Sequence, residues 1–414
     1  MKSNLVWTIA KTKQNKETAW ALVAKAISVI AGVIIMIVVP RFAGVRVYGA
    51  FSLVLAYQAI LGVFAGNSIQ AAVAREAAAD KFGDLSRDFF LEGLKLKLVF
   101  SIISGVVFVI ALELLAPATV REQIWLLLLL VFVMNIWGHV VTFFESVHRL
   151  FYEAVLYFFE YGTKLFFLFV FINNLSVSKL LCIFIAGYSV ASLIGLFIFF
   201  RKVNPINIQA LVGLNIGRSQ IIIKRAFHLA VASFLLIVLA KTDAIMISQM
   251  LGLEALGFYS IAYDITQQAA IVSAPIILGV MPFFVKQHTN KLLFKSVKKI
   301  AVVNLIIFGL FLLFSDLFVR LVYGEGFEIV GLLIKILGLL PLLLSMQSLL
   351  RGVLTLKDTT QQILIFNFIA VVINILLNAV LIQTFGVIGA SLATITAYLV
   401  MLSLSFWYLV NHSS

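Results

Sequence analysis

The stretch KTDAIMISQMLGLEALGFYSIAY, residues 241–263, joins two long apolar runs through a short Leu-Gly turn. The run before the turn, 227–250, and the run after it, 258–282, are each long enough for a bilayer, whose crossing takes roughly 20 mostly apolar residues. Lys241 and Asp243 fall inside the first run. Two residues apart, they point about 200° apart round a helix and cannot pair well with each other. Both must therefore find partners on other helices.

The turn has a copy earlier in the chain. AGVRVYGAFSL, residues 43–53, aligns with LGLEALGFYSI, residues 251–261, at an offset of 208, with two glycines and a serine in register. Each copy follows the first apolar run of a six-run half. An even number of runs separates them, so both lie on the outer face and the repeat is parallel. The expected plan is two six-helix halves, 1–210 and 211–414, related by a pseudo-two-fold along the membrane normal, as in alternating-access transporters.

Working outward, apolar runs fill the chain: 19–39, 51–72, 96–116, 124–146, 152–172, 179–200, 227–250, 258–282, 300–322, 329–350, 362–382 and 387–409. Only 12% of residues are charged and the mean hydropathy is +1.12, which excludes a soluble globule, where about 25% is usual. An all-α polytopic membrane protein of about twelve spans is expected. With Lys97, at the edge of the run 96–116, counted among the loop charges, 22 Lys and Arg lie on one face between the runs and in the tails, and only Arg41, Arg46 and Arg121 on the other. By the positive-inside rule both termini are cytoplasmic, in a cytoplasmic (inner) membrane. The net charge of +13 then reflects topology and anionic lipid rather than nucleic acid. The run at 19–39 is too long for a signal peptide and reads as the first span. Cys182 is the only cysteine, so no disulfide forms within the chain.

Charges within spans are costly and call for a partner, a wet cavity or a role. Lys179 and Arg320 lie near span ends and can snorkel. Four lysines remain as candidate binding groups: Lys25, Lys164, Lys241 and Lys335. Glu160 precedes Lys164 by four residues, on one helix face, so the two can neutralise each other. Asp264 is the expected partner for the pair at Lys241 and Asp243. Asn67, Gln70, Asn374 and Asn378 read as interhelical packing groups, and Gly62-x3-Gly66 and the ladder Gly389, Ala393, Ala397 as close-packing surfaces. His139, deep in a span, reads as a hydrogen-bonded helix residue. Pro275 and Pro341 should kink or break their spans, with Pro275 the better hinge. No Walker motif, metal-ligand cluster or nucleophile–base arrangement is present, so neither an enzyme nor a resident metal is expected.

The 241–263 stretch also resembles the seventh-to-eighth-span signature of the polysaccharide flippases. These belong to the multidrug/oligosaccharidyl-lipid/polysaccharide (MOP) exporter superfamily. NAVLIQTFGVIGASLAT, residues 378–394, resembles their eleventh-to-twelfth-span hairpin, and YGEGF, 323–327, a turn after the ninth. The resemblance implies a flippase that moves a polyprenyl-pyrophosphate-linked oligosaccharide by alternating access through a cationic central cavity. Lys25, Lys164, Lys241 and Lys335 would serve the pyrophosphate. Glu160, Asp243 and Asp264 would either couple transport to Na⁺ or H⁺ or balance the lysines. Membrane lipids, a polysaccharide polymerase and glycosyltransferases are the implied partners, and no other cofactor. The length suits exporters of O-antigen, capsule or teichuronic-type units better than the longer lipid II flippases. The alternative is an ion-coupled multidrug antiporter of the same superfamily, against which the excess of buried lysine speaks.

Overall fold

Without water, an apolar segment must satisfy its own backbone, and a helix does so internally. The computed structural model describes residues 2–80, 84–202, 213–286, 290–357 and 359–412, and all regular structure among them is helical. Ten helices among the described residues are long and apolar enough to cross a membrane. Two further crossings follow from chemistry. The Leu150–Val170 helix has the length of a span but carries Glu153, Glu160 and Lys164. The Gln361–Asn411 segment is two crossings joined at Gly386. The twelve expected crossings are thereby present.

Gly386 shows why that segment doubles back. Its φ of 60° and ψ of −138° lie where only glycine is comfortable. A Cβ on Gly389 would collide with the backbone of Leu381. Residues eight apart in a straight helix are about 12 Å apart, so the chain reverses sharply here.

Contacts divide the chain into two units: Met1–Ile35 with Tyr57–Ser233, and Met36–Ala56 with Phe234–Ser414. The boundary expected at 210/211 lies outside the described residues.

In the first unit, the helices Ser68–Asp80, Asp84–Leu115, Ile124–Ser146 and Val177–Lys202 surround an aromatic core. Phe90 lies 3.9 Å from Phe199 and 4.7 Å from Phe143, measured between ring centroids. His139 stacks on Phe90, and its Nε2 is 2.9 Å from the Phe90 carbonyl, the hydrogen-bonded place expected for it. The second span is interrupted by a π-helical turn at Val63–Asn67, where Gly66 adopts φ 104°. This corrects the reading of Gly62-x3-Gly66 as a packing surface. A Cβ on Gly62 would lie 2.6 Å from the Asn67 amide nitrogen of its own helix. The two glycines serve the break.

In the second unit, the repeated glycine motifs meet each other. A Cβ on Gly49 would strike the Leu253 carbonyl and one on Gly257 the Val45 carbonyl. The two turns therefore cross at backbone contact. Around the crossing, Arg41 donates to the Val322 carbonyl at 3.0 Å and Tyr323 to the Met36 carbonyl at 3.3 Å. A 3-10 turn at Ala270–Ser273 breaks the eighth span, and Pro275 sits in the first turn of the helix Ala274–Lys286 that follows. Pro341 occupies the corresponding place in Leu340–Leu356. A first turn tolerates proline because its N–H has no helical partner.

Candidate functional site

Within the second unit, three helical segments converge on Asp243, which is 1% exposed. Asp243 comes from Ile216–Met250. Leu253–Ala269 supplies Tyr259, and the doubled Thr360–Asn411 segment supplies Asn374, Asn378 and Thr394. Asn374 and Asn378 are one turn apart and share a face. The reversal at Gly386 then brings Thr394 back beside them.

The carboxylate is fully engaged. Oδ1 accepts from Asn374 at 3.1 Å and from Asn378 at 2.6 Å. Oδ2 accepts from the Tyr259 hydroxyl at 2.7 Å and lies 2.5 Å from the Thr394 hydroxyl. Thr394 also reaches the Ala390 carbonyl at 3.0 Å, and Asn378 donates to Asn374 Oδ1 at 3.1 Å. All four partners are neutral. One acceptor is left over: the buried Asn378 Oδ1 has no hydrogen-bond donor. As folded, both amides present nitrogen to Asp243; turned round, they would add two oxygens to the carboxylate, the Thr394 hydroxyl and the Ala390 carbonyl, an all-oxygen set of the kind that suits a hard cation. The same group can instead take a proton.

Asn374 and Asn378, expected to pack helices, thus serve the acid. Tyr259 was visible only as part of the repeat. Thr394 appeared only as the last residue of the 378–394 stretch, because a threonine 151 residues from Asp243 is ordinary in sequence.

Asp264 is separate from this cluster. It accepts from Tyr48 at 2.5 Å, and Lys241 is the cation that acts on it, as the charge pattern suggested. Lys241 is half-buried. Lys335 pairs with Asp316 at 2.5 Å in a partly exposed setting.

In the first unit, Lys164 and Glu160 are each 1% exposed and pair at 2.5 Å. The ammonium also stands 3.5 Å from the Tyr188 ring centroid, 4.5 Å from Phe184 and 4.9 Å from Tyr161. Cation–π attraction of this kind strengthens when water is excluded. The pair is closed on itself, so meeting a substrate requires it to open. Lys25 is exposed, and its field acts on Glu153. Lys179, in the first turn of Val177–Lys202, donates to the carbonyl of Asn174 in the preceding turn at 2.8 Å. Lys97, counted with the cytoplasmic loop charges, is a correction: it is 1% exposed inside the first unit.

The chain matches a family model described as polysaccharide biosynthesis protein over residues 15–288. It is 28% identical over 145 residues to the amylovoran biosynthesis protein AmsL of Erwinia amylovora. That match spans 34% of this chain and 37% of the relative's length. Among solved structures, it resembles the lipid II flippase MurJ in an inward closed conformation. The TM-score is 0.76 at 13% identity, covering 94% of this chain and 87% of that one. An inward-facing multidrug MATE transporter of the MOP superfamily gives 0.73 at 13% identity, over 95% of this chain and 100% of that one. The MATE multidrug transporter DinF-BH gives 0.71 at 15% identity, over 97% and 95%. These likenesses establish the fold of MOP-superfamily transporters. With two thirds of its sequence matched by the family model, this chain belongs to the polysaccharide biosynthesis protein family.

Proposed function

We propose that this protein is a flippase that carries a polyprenyl-pyrophosphate-linked oligosaccharide across the cytoplasmic membrane, driven by Na⁺ bound at Asp243. Family membership supports the substrate class. The observation that carries the mechanism is the Asp243 cluster. A carboxylate held in the membrane by neutral groups alone, beside an amide oxygen without a donor, is poised for a cation. A sodium ion there would gather Asp243, Asn374, Asn378 and Thr394 and offset the charge. A proton would satisfy the carboxylate but leave the Asn378 oxygen unpartnered, so the oxygen set favours Na⁺. Cation binding and release would then bias the exchange between inward- and outward-open states.

For the head group, Lys25 in the first unit and Lys241 in the second are the candidate lysines not closed into an ion pair among the described residues. Each offers phosphate oxygens a compact, mobile point charge. Lys164 and Lys335 contribute where their pairs with Glu160 and Asp316 open. In cells lacking the protein, lipid-linked repeat units should accumulate on the cytoplasmic leaflet and surface polysaccharide should disappear. Lys241→Gln and Lys25→Gln should each lower surface polymer at unchanged protein level. Normal polymer in both variants would remove the lysine assignment.

The likeness to MATE transporters supports a second reading, ion-coupled export of organic cations. Overexpression would then confer resistance to cationic dyes and leave surface polysaccharide untouched.

A further inference from the structure

Lys97 poses a different problem from the other buried lysine. Lys164 has Glu160; Lys97 has no acidic partner among the described residues. Its Nζ donates to Gln70 Oε1 at 2.7 Å and to the Asn135 main-chain carbonyl at 2.8 Å. Both acceptors are neutral. An ammonium has three hydrogens to place, whereas a neutral amine has two. The two acceptors thus satisfy the amine and leave one hydrogen of the cation over.

Among the described residues, the surroundings hold no compensating charge. From the Ile124–Ser146 helix, the titratable group facing Lys97 is His139, whose Nε2 is taken by the Phe90 carbonyl. The Ser68–Asp80 helix presents Gln70; its Glu76 is paired with Arg225, and Arg75 lies five residues further along. Glu145 is ten residues beyond Asn135, about 15 Å along the helix. On Lys97's own helix, Glu92 is engaged by Lys95 and Ser219. A lone cation in such a place is costly, and losing its proton removes the cost.

The same residues tie Lys97 to the break in the second span. The Asn135 amide donates to the Ala65 carbonyl at 2.9 Å and to Ser101 Oγ at 3.0 Å. Ala65 lies inside the π-helical turn Val63–Asn67. Asn135 Oδ1 is buried without a donor. It is the acceptor that a third N–H of a charged Lys97 would recruit. Turning the amide to meet that N–H withdraws its own N–H from Ala65.

We propose that Lys97 is a proton-binding site of the first unit, and that its charge state controls the π-helical break at Val63–Asn67 through Asn135. In the neutral state, Gln70 and Asn135 hold the amine and the Asn135 amide holds the break. On protonation, a hydronium ion gives a proton to the Nζ lone pair and is left as water, Asn135 Oδ1 is drawn to the new N–H, and Ala65 loses its donor. Deprotonation reverses this: an N–H bond breaks, its electron pair stays on Nζ, and the proton passes to water.

Two measurements on the purified, full-length protein in detergent micelles test this. First, with lysine ¹³C-labelled at Cε, the protein at pH 8 should show one resonance at the free-amine position. That resonance should be missing from both Lys97→Arg and Lys97→Gln, so either variant suffices for the assignment. If every lysine of the parent protein carries the ammonium shift, the proton site is overturned. Second, hydrogen–deuterium exchange over 61–70 should be at least tenfold faster in Lys97→Arg, which fixes the charge, than in Lys97→Gln, which removes it. Equal rates would overturn the link to the break, as would equal rates in Asn135→Ala and the parent protein.

Discussion

Replacing Asp243 separates the acid's structural role from its charge. Each of its two oxygens serves two neighbours. An asparagine can keep its oxygen for Asn374 and Asn378 and turn its NH₂ toward Tyr259 and Thr394, whose hydroxyls accept as readily as they donate. No buried donor is orphaned, so Asp243→Asn should cost less than about 2 kcal/mol of stability. Alanine offers no such exchange. Thr394 can fall back on the Ala390 carbonyl, but Asn374 loses its acceptor and Asn378 keeps only Asn374. At about 1–3 kcal/mol per unsatisfied buried group, plus the cavity, Asp243→Ala should cost about 2–5 kcal/mol. Sodium adds the decisive contrast. At a hundred times its dissociation constant, it should stabilise the parent protein by about 2.7 kcal/mol and neither variant at all. Thermal unfolding in detergent, in NaCl against choline chloride at equal ionic strength, reads both effects. Equal stabilisation of Asp243→Asn and the parent by Na⁺ would refute the sodium site, and an alanine variant as stable as the asparagine one would refute the acid's structural role.

Other consequences are local. Gly49→Ala and Gly257→Ala each place a methyl against a partner backbone that cannot swing away, so each should cost about 1–3 kcal/mol and lower the melting temperature. Gly386→Ala forces φ 60° and ψ −138° on a residue with a Cβ, at about 1–3 kcal/mol, with Na⁺ affinity falling as the hairpin carrying Thr394 shifts. Glu92 holds the start of the Ile216–Met250 helix, accepting from the Asn215 N–H at 2.8 Å and Ser219 at 2.5 Å. Glu92→Ala should cost about 2–3 kcal/mol locally and speed hydrogen exchange in residues 216–219, leaving residues 374–394 unchanged.

The spans were legible because membrane insertion writes composition directly into sequence. Even the charged Leu150–Val170 helix could be read, since Glu160 and Lys164 sit one turn apart. Asp243 was legible for the same reason: an acid within an apolar run is conspicuous. Its partners were not, since Asn374, Asn378 and Thr394 are ordinary alone and gain meaning only when the turn at Gly386 folds them together. Lys97 was misplaced because charge counting assigns a lysine at the edge of an apolar run to the loop. Only the neighbouring Gln70 and Asn135, from two other helices, reveal that it is inside. The Gly62–Gly66 spacing fits a packing motif and a helix break equally well, and φ at Gly66 decides between them. The repeat signalled equivalent positions in two halves, yet nothing in it foretold that the two copies touch.

The most direct measurement is translocation by the purified protein in proteoliposomes containing a lipid-linked repeat unit from its own cell. A glycosidase outside the vesicles would report which leaflet holds the glycan. An imposed Na⁺ gradient should move the glycan across in the parent protein, and Asp243→Asn should leave it where it began. Movement that ignores the gradient and the substitution alike would contradict the account, as would a protein that moves cationic dye and no glycan.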